Sequence, residues 1–163
     1  MKSTRFRNVH ACRRYARSLS LDSYASAYEL CDQLSSLRNR PIRVIEWPLP
    51  IPGPMGVWIS RERDDIVVVQ ELATGGHRDH IVLHEIAHIL CEHEGEKLPG
   101  YEPNLSLLDR VAPGDATVRF RSAYDTTSER EAELLAAAFA ESMTDDYTDS
   151  PIARHVYRYF AGG

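Results

Sequence analysis

Ile81-Val82-Leu83-His84-Glu85-Ile86-Ala87-His88-Ile89-Leu90 places a His-Glu-x-x-His motif inside an apolar, helix-forming run. Residues four apart on an α-helix are about 40° apart in projection and about one turn apart in height. His84 and His88 can therefore direct two imidazoles at one metal ion. Glu85 stands about 100° round from His84, within reach of a water beside that metal without being a ligand itself. Two ligands and an adjacent carboxylate base form the core of a zinc hydrolase. No Gly or Pro interrupts the chain from His77 to His93, and the residues between and around the motif positions are bulky and uncharged, as a buried active-site helix requires.

A third ligand has to come from elsewhere. His80, His84 and His88 form a stripe, but eight residues rise about 12 Å along a helix while zinc–nitrogen bonds are about 2 Å long. The metzincin extension fails as well, because Glu94 stands where its third histidine belongs and Cys91 where its glycine does. His93, five residues past His88, is read as facing away from the metal. A carboxylate is offered by a second helix, Ser128-Glu129-Arg130-Glu131-Ala132-Glu133-Leu134-Leu135-Ala136-Ala137-Ala138-Phe139-Ala140, with Thr126, Thr127 or Ser128 as N-cap. Glu131 shares a face with Leu134, Leu135 and Ala138, the side expected to pack on the motif helix. It is the expected third ligand, with Glu129 next and Glu133 the remaining candidate on the same helix. The alanines let two helices approach closely.

Taken in order, His84-Glu85-Ile86-Ala87-His88 followed by Glu129-Arg130-Glu131-Ala132-Glu133-Leu134-Leu135-Ala136 resembles the ImmA/IrrE family of metallopeptidases. Arg40-Pro41-Ile42-Arg43-Val44, Gly56-Val57-Trp58-Ile59 and Asp65-Ile66-Val67-Val68-Val69 are similar to the strands that precede the zinc helix in that family, so the resemblance covers roughly residues 25–145. It implies a gluzincin-like site of two histidines and one glutamate, with a catalytic water worked by the motif glutamate. It also implies a setting, since relatives cleave or inactivate repressor-type DNA-binding regulators in mobile elements, stress responses and toxin–antitoxin-like pairs. The connection from His88 to Glu131 is longer than is usual in the family. The chain has no room for the helix-turn-helix and sensor domains of longer relatives and looks like the protease module alone.

The expected function is that of a zinc-dependent endopeptidase acting on a cytoplasmic protein such as a repressor-type regulator. Zn2+ would be held by His84, His88 and Glu131, and Glu85 would carry the proton. Manganese, iron or cobalt would also suit two histidines and a carboxylate. Tyr124, Tyr101, His77 and His80 are the candidate oxyanion donors, and the strand Asp65 to Glu71 could pair with an extended substrate. The alternative is a zinc-binding interaction module that acts by association without cleavage. A purely structural zinc site is weaker, because it would close all four positions and has no use for a water-activating glutamate.

Composition bounds the rest. With 163 residues and 43% hydrophobic content, the chain can bury one core. A net charge of −5 gives no global electrostatic case for binding nucleic acid directly. No run approaches the roughly 18 apolar residues of a membrane span, and Met1 to Arg7 lacks an apolar core, so neither a span nor a signal peptide is expected. Cys12, Cys31 and Cys91, an odd number at unremarkable spacings, suggest reduced thiols in a cytoplasm, with Cys91 as a small buried hydrophobe. Lys2, Arg5, Arg7, Arg13, Arg14 and Arg17 precede the first acid, Asp22. They make residues 1–20 a basic arm or helix, solvated or serving to dock an acidic partner or DNA bound by that partner. Residues 21–163 form the single zincin-like metallopeptidase domain, and Asp145, Asp146 and Asp149 form an acidic patch read as a loop. Oligomeric state is not encoded; Trp58, Tyr157, Tyr159 and Phe160 suit either core or contact.

The fold class is α+β, a small three-stranded sheet packed on a zincin-like core of the motif helix and the Glu-bearing helix. Ser23 to Arg38 has helical periodicity with Asp22 or Ser23 as cap. Ile42 to Trp47 reads as a strand closed by a proline-rich loop at 48–54, and Gly56 to Arg61 with Asp65 to Glu71 reads as a hairpin. The motif helix starts at about Arg78. Gly95, Pro99, Gly100, Pro103, Pro113 and Gly114 mark residues 95–125 as a long irregular insert, which in a compact domain is usually functional or mobile.

Overall fold

The computed structural model describes residues 6–96, 105–115 and 118–144. In chain order they form α1 (Val9–Ser18), α2 (Ala27–Arg38), β1 (Ile42–Trp47), β2 (Gly56–Ser60), β3 (Asp65–Gln70), α3 (Gly75–Leu90), α4 (Leu105–Val111), β4 (Arg119–Arg121) and α5 (Thr126–Ala140). The architecture is α+β, with five helices and one mixed sheet.

Local chemistry sets the helix ends. Asn8, Ser26 and Asp125 are extended N-caps whose side chains accept from Ala11, Glu29 and Ser128 N–H respectively, satisfying donors that the first turn leaves unpaired. Both expected sets of caps miss, because Ser26 and Asp125 sit where the backbone turns from extended to helical. The chain leaves α2 through Asn39 in the left-handed region (φ 49°), a conformation asparagine tolerates, just before Arg40-Pro41.

The sheet has four strands rather than three, in the order β1-β3-β2-β4. β1 runs parallel to β3, and β2 runs antiparallel to both β3 and β4. β4 lies inside the stretch expected to be irregular, and α4 precedes it. Three residues are too few for a periodic signal, and glycines and prolines on either side dominate that region of sequence. Every residue of β3 is buried, because it is covered on both faces. Val67 and Val69 join the larger core with Trp58 and the helices, while Ile66 and Val68 join Leu107, Val111 and Ala112 beneath α4. That alternation is the period-two geometry of a strand.

The central position of β3 removes one expectation. Both of its edges are hydrogen-bonded, to β1 and to β2, so it cannot pair with a substrate. The outer strands are β1 and β4.

Residues 9–18 form a helix that belongs to the main core. Cys12 and Ala16 are buried with the apolar side of α5, and Arg13 forms a 2.7 Å ion pair with Glu141. α5 is therefore enclosed between α1 and α3, with all but Glu133 of its residues from Glu131 to Ala140 buried. Trp58 is a core residue at 5% exposure, which excludes it as a contact surface. Tyr157, Tyr159, Phe160 and the acidic patch at Asp145, Asp146 and Asp149 lie outside the described residues. No helix among the described residues is long and apolar enough to cross a membrane. Cys12, Cys31 and Cys91 are buried, and none forms a disulfide among the described residues.

Candidate metal centre

α3 is a sixteen-residue helix in which Ile81, Val82, Leu83, Ile86, Ala87 and Ile89 are buried, while His84 faces the α5 side. The residues that touch across the interface give the register. His80 meets Glu133 and His84 meets Glu133 and Glu129, while His88 meets Glu129. Rising numbers on α3 meet falling numbers on α5, so the helices run antiparallel and two i, i+4 pairs face each other.

His84, His88 and Glu129 are positioned to hold a metal ion. The two Nε2 atoms lie 2.9 Å apart. A Glu129 carboxylate oxygen is 3.3 Å from that of His84, and another is 3.8 Å from that of His88. The expected third ligand, Glu131, is elsewhere: its Oε2 is 3.0 Å from His93 Nε2, and its Oε1 accepts from the Phe6 amide. The reason is the enclosure of α5. Its apolar face meets α1 as well as α3, so sharing that face carries Glu131 into the core and leaves Glu129 at the cleft.

Behind each histidine stands a further group. Glu133 Oε1 is 2.8 Å from His84 Nδ1, an ion-pair distance without hydrogen-bond alignment, so that Nδ1 has no hydrogen-bond partner. His88 Nδ1 is 2.8 Å from His93 Nδ1. A helix continuing through His93 would turn its ring away from the metal. The helix stops at Leu90, Glu92 adopts a left-handed φ of 53°, and His93 N–H donates to the His88 carbonyl. The ring therefore folds back against its neighbour. The nearest punctuation in sequence is Gly95, whose Cβ would collide with the Tyr124 ring. Tyr124 in turn stacks on His88 at 3.6 Å and 15°.

A second donor group, Cys91, His93 and Glu131, is also placed to hold an ion, and all three residues are buried. It shares His93 with the arrangement just described.

Glu85 is 5% exposed, and its Oε2 has no hydrogen-bond partner among the described residues. Burial raises its pKa to about 7, against a lowering effect of His84 and with a smaller rise from Glu129. That is the range of a base working near neutrality. Burial alone would lower the pKa of His84, but Glu129 and Glu133 outweigh it and bring the value to about 10. His88 is pushed down to about 2 by burial and by the neighbouring His84 and His93, which keeps it neutral. Glu133 sits below the ordinary carboxylate range: burial opposes this, and His80 and His84 prevail.

In the metal-free protein the raised value of His84 stabilises the fold fully below about 6.5, and that contribution is lost as pH rises through about 10. A ligand must be deprotonated, so metal uptake at pH 7.5 is expected to release a proton from His84. Titration in a weakly buffered indicator solution reads this directly. Metal uptake without proton release would mean that His84 enters the site already neutral.

The cleft beside these groups measures about 240 Å³ and is lined by Pro54, Met55, Gly56, His80, Ile81, His84, Glu85, Ser122, Tyr124, Glu129 and Glu133. That is below the ~300–1,000 Å³ of ordinary small-molecule pockets. Of the expected oxyanion donors, Tyr124 and His80 line the cleft and His77 does not; Tyr101 lies outside the described residues. The Tyr124 hydroxyl donates to the Arg121 carbonyl at 3.1 Å, and burial raises its pKa further above the ordinary phenol value.

Gly56 forms the opposite wall. A Cβ there would fall 2.7 Å from Glu85 Oε1 and 2.7 Å from Ile81 Cγ2, so only glycine lets β2 approach the motif glutamate. Were Glu85 the base of a hydrolase, Gly56→Ala would move it and lower hydrolysis by ~10²-fold, the cost of a misplaced catalytic group, with metal content unchanged. Steady-state kinetics beside a metal assay will check it. Wild-type turnover in this variant would show that Glu85 needs no fixed position.

Comparison of the chain with protein-family models, with curated proteins and with solved structures returned no match.

Proposed function

We propose that this chain is a zinc-dependent endopeptidase with a zincin-like pairing of α3 and α5, in which His84, His88 and Glu129 are the ligands. The observation that carries the reading is the convergence of two Nε2 atoms 2.9 Å apart and a facing carboxylate beside a buried glutamate with an unpartnered oxygen. Two imidazoles and one carboxylate match a hydrolytic zinc set, which keeps a position open. Bound there, zinc would acidify a water and polarise a substrate carbonyl. Glu85 takes the proton from the attacking water and delivers it to the leaving amine. Gly56, where a Cβ would fall 2.7 Å from Glu85 Oε1, leaves room for that carboxylate at the cleft wall. Tyr124, turning from the Arg121 carbonyl, is the donor best placed to meet a developing oxyanion.

The order of motifs that resembles the ImmA/IrrE metallopeptidases supports a repressor-type DNA-binding regulator as the substrate. The test uses the purified full chain. About one zinc per chain is expected, with cleavage of a candidate regulator abolished by a chelator and restored by zinc. No metal uptake, even from added zinc, would sink the reading.

A further inference from the structure

We propose that His93 and Glu131 are positioning residues which fix the tautomer of His88 and thereby set the metal affinity of the His84–His88–Glu129 site. The inference rests on the metal reading above and adds two groups to it. Proton bookkeeping carries it. To offer Nε2 to a metal, a neutral His88 must keep its one ring proton on Nδ1. That atom lies 2.8 Å from His93 Nδ1, so the proton is donated to the His93 lone pair. His93 then carries its own proton on Nε2, 3.0 Å from Glu131 Oε2, and donates it to the carboxylate. The other oxygen of Glu131 accepts from the Phe6 amide, which leaves the carboxylate aimed at His93. All of these bonds point in one direction, from the metal position into the core, and the anion at the end selects that direction.

The same bookkeeping decides against simultaneous use of the second donor group. A metal on Cys91, His93 and Glu131 would need the His93 Nε2 lone pair. His93 would then donate from Nδ1 to His88, forcing the His88 proton onto Nε2 and closing the first site. The two positions exclude each other. Only the first opens on the cleft and has a carboxylate base beside it.

Histidine ligands backed by such outer groups typically lose ~10–100-fold in metal affinity when the backing group is changed. The experiment is a competition titration of zinc against a chromophoric chelator, with cobalt spectra and the melting temperature of the metal-free protein recorded alongside. Wild type, Glu131→Gln, His93→Ala and Cys91→Ser are compared. Glu131→Gln keeps the shape and removes the charge. It and His93→Ala are expected to weaken zinc binding ~10–100-fold, the former with a metal-free melting temperature close to wild type, while Cys91→Ser binds as wild type does. Wild-type affinity in Glu131→Gln and His93→Ala would overturn the positioning role while leaving the metal site standing. Loss of metal in Cys91→Ser would overturn it in favour of the buried group. A wild-type chain that takes up no zinc would remove the metal reading itself, and this inference with it.

Discussion

Glu85→Gln is expected to lower the rate of peptide cleavage by ~10²–10⁴-fold while leaving zinc stoichiometry at the wild-type value. The amide keeps the size and shape of the side chain beside Gly56 but cannot accept a proton from water. The carboxylate it replaces is 5% exposed with one oxygen unpartnered, and a neutral group is less costly to bury than a charged one. The metal-free variant should therefore be at least as stable as wild type near neutral pH. In the wild type the folded-state pKa of Glu85, about 7, lies above the ordinary 4.5, so ionising it in the fold costs stability increasingly as pH rises through that interval. Three measurements separate the outcomes: cleavage kinetics, metal content and the denaturation midpoint. If the variant releases or inactivates a partner regulator as fast as wild type, with metal bound in both, the chain acts by association and not by hydrolysis.

The motif helix, the three principal strands and the second helix could be read because each is a long stretch of one period. α3 announces itself through uninterrupted apolar residues around His84 and His88, and β3 through four successive apolar residues, Ile66 to Val69, that suit burial on both faces. Helix identity did not settle which side chain of α5 faces the metal. Glu129, Glu131 and Glu133 share two turns, and choosing among them needs the partner of each face. The apolar face of α5 was assigned to one neighbour, but α1 takes part of it. His93 was missed for a related reason. Its position depends on a single left-handed residue, Glu92, and glutamate carries no propensity for that conformation as glycine or asparagine does. β4 and α4 were hidden by length, since three and seven residues give too little periodicity to stand out among glycines and prolines.

Asp65→Ala is expected to destabilise the protein by ~3–5 kcal/mol, the range for removing one partner from a buried ionic group. Asp65 is 1% exposed and opens β3 at the middle of the sheet. Its Oδ2 accepts from Arg40 Nε at 2.8 Å and Arg38 Nη2 at 3.1 Å, and its Oδ1 from Trp58 Nε1 at 3.0 Å. Arg40 also donates to the carbonyls of Arg61, Glu62 and Asp64, so one guanidinium ties the end of α2 to the β2–β3 turn. With alanine at 65, both arginines lose their shared anion and the buried indole N–H loses its acceptor. The loss is a large share of the ~5–15 kcal/mol by which domains are stable. Asp65→Asn keeps an acceptor for Trp58 and should cost less, which separates the missing charge from the missing hydrogen bond. Urea unfolding of the two variants checks both; midpoints equal to wild type would show that the arginines find equivalent partners. The effect should also reach the metal centre. Arg121 lies 4.7 Å over the Trp58 ring and donates to the His93 carbonyl at 2.8 Å, so a displaced indole frees the residue that anchors His93. In the folded fraction of Asp65→Ala, zinc affinity should therefore fall in the same direction as in His93→Ala, by a smaller factor.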